Sequence, residues 1–151
     1  METANHECYV SLEVAKLLKE AGFDWEVNHS YPDCESLDNS CSGYMEDLSF
    51  YNNLNDGKYG GMSAPTLDVA QRWLRVVKDC YVSVVADCDS SEVFYFVRII
   101  YCDTNNNYYA THVWEETETE RAKHMLIFNN YEEAQEAGVK KALEIILEKG
   151  K

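Results

Sequence analysis

Three sets of side chains in this 151-residue chain have types and spacings that could do chemistry. The first is Arg72, Arg75 and Arg98. A guanidinium fork grips carboxylate or phosphate through paired hydrogen bonds, so arginines brought together would hold an anionic ligand such as a nucleotide. Set along a helix surface, Arg72 and Arg75 would instead pair with nearby acids, for about 0–1 kcal/mol. The second set is the six cysteines, Cys8, Cys34, Cys41, Cys80, Cys88 and Cys102. No C-x-x-C pair occurs, so neither a zinc ribbon nor a thioredoxin-type motif is present. His6-Glu7-Cys8 with Cys34 and Cys41 matches no common zinc spacing. A thiol–imidazole pair can be drawn among Cys80, Cys88, Cys102, His112 and His124, but a reactive thiolate needs a specific electropositive setting. Gly57-Lys58-Tyr59-Gly60-Gly61 lacks the Gly-Lys-Ser/Thr order of a phosphate loop. No G-x-S-x-G or H-E-x-x-H motif occurs. No catalytic residue, metal or cofactor is therefore assigned, and the chain is expected not to be an enzyme.

The third set is acidic. The chain has 13 Lys+Arg against 27 Asp+Glu, a net charge of −14. From Glu20 to Gly57 no Lys or Arg interrupts the acids. Affinity for duplex DNA or RNA comes mainly from cations that neutralise phosphates, so this field disfavours direct nucleic-acid binding. Solubility alone accounts for a charged coat. The sharper reading is a docking surface for a basic partner. Its residues are Asp33, Glu35, Asp38, Tyr44, Glu46, Asp47, Tyr51, Asp56 and Tyr59, because tyrosine adds stiff amphipathic contact area where proteins meet. Sheet packing is the competing use of those tyrosines. Asp33-Cys34-Glu35 and Asp87-Cys88-Asp89 lack the spacing and glycine of an EF-hand loop.

The elements that carry these residues are readable in part. Ser11 is the N-cap of a helix over Leu12 to Ala21, with Gly22 ending it. Pro65-Thr66 starts a second helix running to Lys78. Cys80 to Ala86 and Val93 to Tyr101 are rich in Val, Ile, Phe and Tyr and read as strands around a hairpin loop. Further strands are expected at about Tyr108 to Trp114 and His124 to Phe128. Asn130 caps a long final helix, with Ala134, Ala137, Gly138, Ala142, Ile145 and Ile146 on its apolar side. Residues 28–61 have weak periodicity and read as an irregular acidic excursion, with short strands expected around Tyr44 and Phe50-Tyr51. The expected fold is a single α+β domain over 1–151. An antiparallel sheet of three to four strands (about 80–128) packs with an N-terminal, a middle and a long C-terminal helix. No apolar run is long enough to span a membrane, and the first residues lack the pattern of a secretory signal, so a cytoplasmic location is expected.

Three stretches, Val10 to Phe23, Ala64 to Arg75 and Asn130 to Leu143, together resemble a family of small uncharacterised proteins of Bacteroides-type bacteria, their phages and mobile elements. The resemblance leaves out Asn28 to Gly61 and brings no catalytic residues. It implies a phage or mobile-element setting, in which small acidic proteins often bind host machinery. The leading expectation is a non-catalytic interaction protein, a counter-defence or host-modulating factor that binds a basic host protein. The alternative is capture of a nucleotide-like anion at Arg72, Arg75 and Arg98. A thiol or metal-dependent enzyme stands third.

Overall fold

Ser11 sets the first helix. Its Oγ accepts from the Val14 amide at 3.3 Å, which satisfies one of the orphan donors of the first turn. Helix α1 (Leu12–Ala21) ends at Gly22, whose φ of 91° lies in the left-handed region open to glycine. Both ends fall where the sequence places them. The computed structural model describes residues 8–32, 45–57, 61–115 and 124–149. The chain divides into two compact units, Met1–Ala70 and Gln71–Lys151.

In the first unit, β1 (Val27–Tyr31) is the centre of a three-stranded antiparallel sheet, flanked by β2 (Glu46–Asn52) and β3 (Met62–Ser63). Ser30 lies opposite Glu46 on one side and Ser63 on the other. The β1–β2 register is irregular between Val27 and His29. Helix α1 packs beside β3, and Val14, Ala15, Leu18, Phe23, Val27 and Tyr31 are buried. Ordered strands thus occupy part of the span read as irregular. The strand expected at Phe50-Tyr51 is real, while the one expected at Tyr44 lies outside the described residues.

The second helix, α2 (Leu67–Lys78), is capped by Thr66, whose Oγ1 accepts from the Val69 amide at 3.2 Å. In the second unit β4 (Tyr81–Cys88), β5 (Val93–Cys102) and β6 (Tyr108–His112) form an antiparallel sheet in that order. The expected strand at 124–128 is reduced to isolated bridges, Trp114 with Met125 and Tyr95 with Phe128. Helix α3 (Tyr131–Lys149) packs on β4 and β5. Asn130 caps it, with Oδ1 accepting from the amides of Glu132 and Glu133 at 2.9 and 3.1 Å. Its buried side is Ala134, Gln135, Gly138, Val139, Ala142 and Leu143, so Ile145 and Ile146 are only half-buried. Gln135 Nε2 donates to Gln71 Oε1 at 3.0 Å, and Gln71 Nε2 donates to the Val82 carbonyl. That chain of amides satisfies polar groups that would be costly to bury alone. The fold is α+β, with a long C-terminal helix.

The corner between α2 and β4 turns on Asp79, at φ 51°. Both Tyr108 and Tyr81 donate their hydroxyls to its carboxylate, at 2.5 and 2.8 Å. The Tyr108 and Tyr81 phenols hold the Asp79 carboxyl below the ordinary Asp range, and Asp79 pushes the Tyr108 phenol up to about 12. The signs are opposite at the two ends of the pH scale. The depressed Asp79 pKa adds stability that is present above about 3.9 and is lost as pH falls through the folded value. The raised Tyr108 pKa adds stability that is present below about 10 and is lost as pH rises through about 12. Melting temperature followed against pH should therefore fall less steeply at both extremes in Tyr108→Phe than in the native chain. Parallel curves would show that the contact is not coupled to folding.

Candidate functional site

The two units differ sharply in charge. The first holds 3 Lys+Arg against 13 Asp+Glu, a net of −10, and the second holds 10 against 14, a net of −4. One of the first unit's few cations is committed to the fold, because Lys19 Nζ donates to the Gly61 carbonyl at 3.0 Å. Of the nine residues read as a docking surface, Asp33, Glu35, Asp38, Tyr44 and Tyr59 lie outside the described residues. The other four lie on β2 and the turn that follows it. Glu46 and Asp47 open β2 and are exposed, Tyr51 is 68% exposed, and Asp56 is exposed at the end of a single 3-10 turn (Leu54–Asp56).

That turn is tied into the fold by side-chain hydrogen bonds. Asn53 Oδ1 accepts from the Asn55 amide at 2.9 Å, and the Leu54 amide donates to the buried Ser63 Oγ at 3.0 Å. Asn55 Nδ2 donates to the Phe23 carbonyl at 2.9 Å, while its Oδ1 accepts from the Ser63 amide at 3.1 Å. A left-handed Gly57, φ 83°, closes the turn. A surface held this way loses little conformational entropy when it binds. Beside it, the His29 Nε2 lies 3.8 Å from Asp47 Oδ1, and the His29 ring packs 4.1 Å from that of Tyr9. Among the described residues β2 pairs on one side only, where charged residues such as Glu46 and Asp47 discourage unwanted strand addition.

The arginines fall on two elements. Arg72 and Arg75 lie one turn apart on exposed positions of α2, and Arg98 is exposed on β5, between Ser83 and His112 in register. For the thiols, burial pushes Cys80 up to about 11, the reverse of what activates a nucleophile. Cys88 is exposed, and Cys8 and Cys102 are half-buried. His112 is engaged through Nδ1 with the Val97 carbonyl at 2.9 Å. Among the described residues, no three His, Cys, Asp or Glu side chains are grouped to hold a metal ion. Among the same residues, no helix is long and apolar enough to cross a membrane.

One concavity escaped the sequence reading. A cleft of about 720 Å³ in the second unit is lined by Val113, Trp114, Glu115 and Leu126 on one wall and by Ala137, Lys140, Lys141 and Glu144 of α3 on the other. The four helical residues fall at i, i+3, i+4 and i+7, a single stripe. That spacing was visible in the sequence, but only the fold sets a second wall across from it. Compared with protein-family models, curated proteins and solved structures, the chain matches none.

Proposed function

We propose that the protein is a non-catalytic interaction protein whose acidic first unit docks on a basic protein surface. The observation that carries this reading is the charge asymmetry, −10 in one unit against −4 in the other. The exposed carboxylates of Glu46, Asp47 and Asp56 and the exposed ring of Tyr51 sit on a braced strand and turn. Complementary fields steer encounter and set specificity, and they do so less as salt rises. The setting that the family resemblance implies makes the partner a host protein of a Bacteroides-type cell, met in the cytoplasm. In that setting the chain serves as a counter-defence or host-modulating factor of a phage or mobile element.

The test is carbodiimide cross-linking of the native chain in such a lysate, which joins carboxylates to partner lysines. The expected product links a basic protein to Glu46, Asp47 or Asp56 and weakens as salt is added. The variant Glu46→Gln/Asp47→Asn/Asp56→Asn should bind about tenfold more weakly, since exposed pairs contribute about 0.2–1 kcal/mol each. Its stability should stay within about 0.5 kcal/mol of the native chain, because all three side chains are at the surface. Equal recovery on native and variant chains overturns the reading.

A further inference from the structure

We infer that the cleft between α3 and the 113–115 and 124–126 segments binds an amphipathic zwitterion, namely an α-amino acid with an aromatic side chain. The inference does not depend on the acidic docking surface, since every described lining residue belongs to the second unit. At about 720 Å³ the cleft falls in the size range of small-molecule sites, about 300–1,000 Å³. Four of its described lining residues are apolar and four are charged. Val113, Leu126 and Ala137 supply apolar surface, and Trp114 supplies an indole that is 37% exposed. The indole is held in place, with Nε1 donating to Thr111 Oγ1 at 3.2 Å and the His112 ring set edge-on at 5.5 Å. An aromatic ring is the natural partner for a fixed aromatic wall, through stacked or edge-to-face contact.

The charges select the rest of the ligand. Among the described lining residues, Lys140 and Lys141 bring two ammonium groups, and Glu115 and Glu144 bring two carboxylates. Lys141 Nζ already lies 3.9 Å from Glu144 Oε2, both side chains being half-exposed. A simple anion would meet the two carboxylates, and a simple cation the two ammoniums. A ligand that carries both charges on neighbouring atoms meets opposite charge on each side, and its remaining body is apolar. The nucleotide-like anion expected from the arginines does not suit this lining, since two carboxylates would oppose its phosphates.

Titration of the native chain with L-phenylalanine tests this. The Trp114 indole resonance should shift saturably at millimolar ligand. The melting temperature should rise by about 2–4 °C near saturation, because the ligand binds the native state. Phenylacetate, which lacks the ammonium, and 2-phenylethylamine, which lacks the carboxylate, should each bind at least about tenfold more weakly. Lys140→Gln/Lys141→Gln and Glu115→Gln should abolish the indole shift while melting as the native chain does. If a variant proves unstable, the comparison of the three ligands on the native chain still decides. No indole shift, or equal affinity for phenylacetate, overturns the inference.

Discussion

Phe23→Ala is expected to remove about 3–5 kcal/mol of stability, the full span for deleting a buried aromatic side chain. The ring is 1% exposed, among the largest side chains enclosed in the protein. Its position is fixed from both directions. The Phe23 amide donates back to the Leu18 carbonyl at 2.9 Å, and its own carbonyl accepts from Asn55 Nδ2 at 2.9 Å. Those bonds use main-chain atoms and survive the substitution, so the site has little freedom to collapse around the missing ring. A cavity that cannot close costs the lost transfer energy plus the lost contacts of its lining. Natural domains are stable by only about 5–15 kcal/mol, so this one change takes a large share of the total. Denaturant unfolding at a fixed m-value measures it, with Phe23→Leu as the comparison at about 1.5 kcal/mol or less. A loss below about 1 kcal/mol for the alanine variant would mean that the surroundings close on the gap. Faster amide exchange in β1 and β3 should accompany the loss, because Asn55 ties the same residue to Ser63.

Gly138→Val is the second large effect, expected to cost about 3 kcal/mol through overpacking. A Cβ at Gly138 would lie 2.7 Å from Val82 Cγ1 and 2.7 Å from Val97 Cγ1. Both valines are buried, on β4 and β5. A β-branched side chain has one strongly favoured rotamer, so neither methyl can swing clear, and the helix must lift off the sheet. Gly138→Ala is the more informative variant. Alanine gains about 1 kcal/mol over glycine in a helix interior. Here the contact is expected to reverse that gain and leave the variant less stable. Val97→Ala combined with Gly138→Ala should recover part of the loss, a non-additivity that a double-mutant cycle reads directly. An increase in stability for Gly138→Ala alone would rule out close approach of α3 to the sheet.

The helix ends were legible because they depend on neighbours in the chain. Ser11 and Gly22 bracket α1, and Asn130 opens α3, through bonds that span two to five residues. The strands β4 and β5 were legible for a related reason, since a dense run of Val, Ile, Phe and Tyr suits one backbone shape. Strand β1 was not. Val27-Asn28-His29-Ser30-Tyr31 shows no clean alternation, and its Ser30 is buried by pairing with Glu46 and Ser63, residues far along the chain.

The candidate sites divide the same way. An uninterrupted acidic stretch can be read by counting, and counting also finds Arg72, Arg75 and Arg98. Whether charged groups meet is another matter: Arg72 and Arg75 lie on α2 and Arg98 on β5, while Lys140 and Lys141 line a cleft. From its amino acids alone this chain determined its charge, its helix boundaries, its hairpin of hydrophobic strands and its α+β class, all properties of composition or of near neighbours. Tertiary structure decided that Gly138 is a point of contact, that Asn55 is a brace, and that Trp114 faces a helix stripe across a cavity. Those depend on loop closure and packing between distant segments, which no local pattern records.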